Sequence, residues 1–217
     1  MIEHVNKIFV FGDSHSGAFL LFSEELPFKV STVRRAIGAH LYPFIPIHFS
    51  GATAYGLLNP DSSSKSYGMW EENLKNVNKE RDLILLWFGE IDCRYHIKDN
   101  QMIDDTINNY ITKLKELREQ GYSFIVLTIP PPNKDKGSTP IEDRPKIYKE
   151  YNDRLVKACI KEGIYFIDMY YHGVDGETGF MKLDMMRDAV HYKPEAIYEY
   201  VIGCLSNICN LKLKFYG

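Results

Sequence analysis

Phe9-Val10-Phe11-Gly12-Asp13-Ser14-His15-Ser16-Gly17 decides how the chain is read. Lys7 to Phe11 is a short apolar run rich in β-formers, which predicts a buried first strand over about Lys7–Gly12. It runs straight into Gly-Asp-Ser, a set of turn residues. Ala18 to Leu26 can then form a helix. A serine at such a strand-to-helix turn sits at the carboxyl edge of a sheet, where open α/β sheets bind ligands. Its hydroxyl, with backbone N–H donors nearby, has the makings of a nucleophile. The competing reading is that Asp13 or Ser14 only caps the helix.

Moving outward, strand signals alternate with helix signals. A second strand is expected at Ile45–Ser50, after the Pro43 and Pro46 breakers, and a helix at Lys65–Lys79. Asp82–Phe88 is an unbroken apolar run, as a central parallel strand requires. Ile103, Ile107, Tyr110, Ile111, Leu114 and Leu117 recur at three and four, predicting a helix over Ile103–Gln120 that stops at Gly121. Strand Ser123–Ile129 follows, then a polar loop over Pro132–Pro145, a helix over Arg144–Glu162, strand Ile164–Asp168 and a helix over Pro194–Ile208. Five strands alternating with helices imply right-handed crossovers and a mainly parallel sheet covered on both faces, an α/β/α sandwich. Ser14, Gly51, Gly89 and the loop after Pro130 each follow a strand, so all four lie on one sheet edge.

Composition narrows the function. With 217 residues, 45% hydrophobic and 25% charged, the chain suits one domain over 1–217 with a sizeable core. A net charge of −3 gives no basic footprint for nucleic acid. No apolar run is long enough for a membrane span, and the N-terminus reads as having no signal peptide. Cys93, Cys159, Cys204 and Cys209 form no Cys-x-x-Cys pair, so they read as reduced thiols of a cytoplasmic protein. Neither His-Glu-x-x-His nor paired histidines at zinc spacing occur, so no metal or other cofactor is expected. Gly51-Ala52-Thr53-Ala54-Tyr55-Gly56 has phosphate-loop spacing, but Leu57 and Leu58 stand where Lys and Ser/Thr are required. Ser16 occupies the last position of a Gly-x-Ser-x-Gly elbow, which argues against the α/β-hydrolase fold.

Near the other end, Asp188-Ala189-Val190-His191 places a carboxylate three residues before a histidine. At that spacing it can hold the ring's tautomer and leave the second nitrogen as a base for a serine. Taken together, Gly12-Asp13-Ser14, Ser50-Gly51-Ala52-Thr53-Ala54-Tyr55-Gly56-Leu57 and Asp188-Ala189-Val190-His191 resemble, in order, blocks of the SGNH (GDSL) hydrolase superfamily. The third block, Gly-x-Asn-Asp in that family, stands here as Gly89-Glu90-Ile91-Asp92. This Gly-Glu-x-Asp form resembles acetylesterase branches.

The resemblance implies a flavodoxin-like SGNH fold and a serine esterase acting through an acyl-enzyme. Ser14 is the expected nucleophile, His191 the base and Asp188 its orienter. Gly51, Gly89, Glu90, Asp92 and Arg94 are the expected oxyanion and substrate-binding positions. Glu90 and Asp92 have a rival reading as helix caps and salt-bridge partners of Arg94 or Arg81. The substrate expected is a small-molecule or saccharide O-acetyl ester, with Tyr55 or Tyr95 available to stack on a sugar. Two rivals remain open: an acyltransferase with the same triad, and a binding module. The second is motivated by Ile91, which replaces an amide of the family's oxyanion hole. A substitute donor is expected from the backbone of Gly89 or Glu90 or from the Asn59 side chain. The polar Pro132–Pro145 segment is expected to be a mobile lid over the serine.

Overall fold

A computed structural model describes residues 5–22, 44–134, 137–188 and 190–209. Among these residues five strands, β1 (Lys7–Gly12), β2 (Phe44–His48), β3 (Asp82–Trp87), β4 (Phe124–Leu127) and β5 (Phe166–Ile167), form one parallel sheet in the order β2-β1-β3-β4-β5. Pro46 is tolerated in β2 because β2 is an edge strand, where a missing N–H need not break a ladder. β1 lies between β2 and β3, so the chain leaves it toward one side and later returns on the other. This is the switch point at which the carboxyl ends of the strands diverge and open a crevice.

Alternation along the strands builds two cores. Phe9, Phe11, Ile84, Leu86 and Val126 face α1 (Ser66–Leu74), α2 (Asn100–Glu119) and α3 (Arg144–Glu162). Ile8, Val10, Leu83, Leu85, Ile125 and Leu127 face the opposite way, toward α5 (Pro194–Cys209) and Phe19. Both faces of β1 and β3 are thus buried, which is why their sequences are continuous apolar runs.

The predicted elements are all present where described, with shifted bounds. The helix expected at Ala18–Leu26 begins earlier, as a 3-10 helix over Ser14–Phe22; residues past 22 lie outside the described ones. Asp99 caps α2 by accepting from Met102 N, which moves that helix's start ahead of its apolar periodicity. A short helix not read from the sequence, α4 (Met169–Gly173), is capped by Asp168 accepting from Tyr171 N. No described helix is long and apolar enough to cross a membrane.

Candidate active site

Gly12 ends β1 in a gap with no room for a side chain. A Cβ there would lie 2.7 Å from the Trp87 carbonyl oxygen of β3. This close approach lets Asp13 N–H donate to Trp87 O at 3.3 Å and turns the chain sharply at Ser14. Asp13, 1% exposed, then does the capping: its Oδ1 accepts from His15 N at 2.9 Å. Ser16 N–H and Oγ both donate to Asp13 O. The capping reading therefore applies to Asp13, and Ser14 Oγ is left for another partner.

That partner is His191. Its Nε2 lies 2.9 Å from Ser14 Oγ, and its Nδ1 lies 2.9 and 3.1 Å from the two oxygens of Asp188. An ionised carboxylate only accepts, so Nδ1 donates and Nε2 accepts from the serine hydroxyl. Asp188 Oδ1 also accepts from Val190 N and His191 N, each at 2.9 Å, and Arg187 binds Oδ2. Partial burial works against ionisation of Asp188, but these hydrogen bonds outweigh it and hold the carboxyl well below the ordinary range. Residues on either side pin the segment. Arg187 N donates to His191 O, and buried Tyr192 stacks near Trp87 with its hydroxyl on Met169 O.

The sequence reading missed His15. Its ring is buried 5.0 Å from that of His191 and 5.4 Å from that of Trp87, centroid to centroid. Neither ring nitrogen has a hydrogen-bond partner among the described residues. Burial above all, with the Arg94 guanidinium and the second imidazole of His191 nearby, pushes its pKa well down. A neutral imidazole thus forms a wall behind the His191 ring. Its position immediately after Ser14 was the only signal in the sequence.

Gly51 follows β2 with φ of 69° and is exposed. Phe49 N–H donates to Gly12 O at 2.8 Å, which places this loop beside the end of β1. Gly89 follows β3 with φ of 118°, packed so closely against the Tyr151 ring that no side chain fits. Among the described residues, nothing accepts from the N–H groups of Ser14, Gly51, Gly89 or Glu90.

Glu90, Asp92 and Arg94 are corrected in orientation. Glu90 is 1% exposed and turned inward, its Oε1 meeting Arg94 Nε at 3.2 Å and Tyr148 OH at 2.9 Å. The salt-bridge reading is the one this geometry follows. Burial raises the Glu90 pKa against the opposing pull of Arg94 and Tyr148. Burial, reinforced by Glu90, pushes Asp13 well above the carboxylate range. Asp92 accepts from Ala54 N at 2.7 Å and Tyr55 N at 3.2 Å, so it staples the second block to the third.

The segment after β4 does not form the free lid expected of Pro132–Pro145. Residues 135 and 136 lie outside the described ones. Around them, Thr139 donates through N–H to Arg94 O and through Oγ1 to Cys93 O, while Arg144 reaches Thr139 O and Asn133 O. Those bonds strap the loop onto the Glu90–Arg94 turn.

The profile of GDSL-like lipase/acylhydrolase matches residues 8–200. Solved structures share the fold at low identity. A GDSL-like lipase from Bacteroides thetaiotaomicron aligns with a TM-score of 0.67 at 17% identity, over 94% of this chain and 88% of that one. The acetyl xylan esterase AlAXEase aligns with a TM-score of 0.61 at 16% identity, over 92% and 99%. A search of curated proteins finds no match.

Proposed function

The chain belongs to the GDSL-like lipase/acylhydrolase family, and from that premise we propose that it is a serine esterase cleaving a short-chain O-acyl ester, an O-acetyl group on a carbohydrate. One observation carries the reading: the unbroken chain from Ser14 Oγ through His191 to Asp188. As Ser14 Oγ attacks the ester carbonyl, its proton passes to His191 Nε2, and Asp188 stabilises the imidazolium. The tetrahedral oxyanion takes N–H donors from Ser14 and Gly51, both without another partner. His191 returns the proton to the departing alkoxide. Water, deprotonated by the same nitrogen, then resolves the acyl-enzyme and releases the carboxylic acid. The acetyl and carbohydrate preferences rest on the Gly-Glu-x-Asp block and on the likeness to a fold neighbour that is an acetyl xylan esterase.

A fluorophosphonate probe and p-nitrophenyl acetate test this reading. The wild-type protein should be labelled at Ser14 and turn over the ester. Ser14→Ala should lose labelling and cut kcat by about a thousandfold or more while keeping its circular dichroism spectrum. An unlabelled wild-type protein, or a variant as active as wild type, overturns the assignment.

A further inference from the structure

A cleft of about 540 Å³ opens beside Gly51 and runs over Asn59–Ser64 to Asp105 and Thr106 in the first turns of α2. Its volume falls in the range of small-molecule sites. We propose that this cleft is the sugar subsite of the enzyme, and that it selects a glycan carrying no negative charge. The inference rests on the esterase reading and adds to it the class of alcohol that the acyl group leaves.

Location comes first. Gly51 lies three residues past the end of β2, and the Phe49–Gly12 hydrogen bond ties that loop to the residue two before Ser14. The cleft therefore opens on the sheet edge that carries the nucleophile, with Gly51, the proposed oxyanion donor, on its lining. Its walls are fixed. Asp92 holds the Ala54 and Tyr55 N–H groups, Asn109 Nδ2 donates to Tyr55 O, and Ser62, Ser64 and Ser66 are linked through their hydroxyls at 3.0 to 3.4 Å.

Chemistry comes second. Tyr55, 55% exposed, gives the cleft an aromatic surface of the kind a sugar ring stacks on. The hydroxyls of Thr53, Ser62, Ser63 and Ser64 give and accept hydrogen bonds, as sugar hydroxyls require. The charges decide between neutral and acidic sugars. Among the described residues none that lines the cleft is Lys or Arg, and His96 is the one basic side chain there. Asp61 and Asp105 are exposed on the lining, with buried Asp92 beneath. Asp105 Oδ1 already accepts from Gln101, which leaves its second oxygen for a sugar hydroxyl. A carboxylate or phosphate on the substrate would enter a field of like charge. At a separation of about 8 Å, each such pair costs roughly threefold to tenfold in affinity at intermediate dielectric.

The test compares acetylated xylobiose with acetylated glucuronoxylobiose at about pH 8 and low salt. Wild-type kcat/KM should favour the neutral ester by about tenfold or more, and Asp61→Asn/Asp105→Asn should bring the two within about threefold, chiefly by improving the acidic one. Tyr55→Ala should raise KM for the neutral ester more than it lowers kcat. A wild-type enzyme that takes the acidic ester equally well, or a selectivity ratio unmoved in the double variant, overturns the proposal. Ligand-detected NMR on Ser14→Ala, using the two deacetylated sugars, separates this inference from the esterase reading. Preferential binding of the neutral sugar, lost in Tyr55→Ala, supports the subsite even if the wild type fails with p-nitrophenyl acetate. Absence of any binding, with ester turnover intact, removes the subsite and leaves the esterase.

Discussion

Asp92→Asn should flatten the dependence of stability on pH. Burial pushes the Asp92 carboxyl up to about 6, against the opposing N–H groups of Ala54 and Tyr55. In the unfolded chain the same group titrates near about 3.9. The folded protein thus holds this proton more tightly than the unfolded chain does. Stability from this group is greatest at low pH and is lost as pH rises from about 4 through about 6. Two pH units at about 1.4 kcal/mol each give a total loss of about 3 kcal/mol, and roughly half of it falls between about pH 5 and about pH 7.5. Asparagine carries no such ionisation. Its carbonyl can still accept from Ala54 N, but its amide group faces Tyr55 N–H, a mismatch costing about 1–2 kcal/mol at every pH. Urea unfolding of both proteins at the two pH values isolates the effect, because Asp13 and Glu90 remain in both and cancel in the difference. Wild type should lose about 1.5 kcal/mol more than the variant on going from acid to neutral. Equal losses, within about 0.3 kcal/mol, would refute the claim that a buried, ionising Asp92 staples the two loops.

Asp188→Asn should lower kcat/KM on p-nitrophenyl acetate by about a hundredfold or more, by releasing the His191 tautomer; a loss under about threefold refutes the pairing. Because Asp188 is held well below the ordinary carboxylate range, the wild-type kcat/KM profile above about pH 4 should contain no limb that Asp188→Asn removes, and the loss of such a limb in that variant contradicts the geometry. Gly12→Ala should destabilise by about 2–3 kcal/mol in urea, since its Cβ meets the Trp87 backbone; an unchanged midpoint refutes the close approach. Ile91→Asn should change kcat less than about threefold, and a gain of about tenfold or more would mean the lost amide is uncompensated.

The sheet was legible because its signals are local. Ile8–Phe11 and Leu83–Trp87 are apolar on both faces, and only a strand covered from both sides calls for that pattern. The Ser14, Asp188 and His191 set could be singled out because the turn and the three-residue spacing are short-range features. Tertiary partners were not readable in this way. Nothing near Glu90 in sequence announces Tyr148, which arrives from α3 to turn the carboxylate inward. Pro132–Pro145 looked like a lid because it is polar and long. Its fastening depends on Thr139 meeting carbonyls of residues 93 and 94, more than forty positions earlier. The start of the first helix was misplaced for a similar reason, since Asp13 capping pulls it back to Ser14, ahead of the apolar positions.

The isoleucine in the third block is intelligible once the end of β3 is followed in space. Gly12 pairs with Trp87, and Asp13 donates to the Trp87 carbonyl, so the two residues after Trp87 emerge alongside the serine turn. There Gly89 takes a left-handed conformation that Tyr151 leaves open only to glycine. The N–H groups of Gly89 and Glu90 have no acceptor among the described residues. A buried N–H without a partner costs about 1–3 kcal/mol unless something arrives to accept from it. Inward anchoring of Glu90 by Arg94 and Tyr148 fixes this peptide while removing its carboxylate from the crevice. Under the proposed esterase reading this peptide is the substitute oxyanion donor, and position 91 then need supply no side-chain amide. Isoleucine there can be half-buried packing, provided the anchors of Glu90 stay in place.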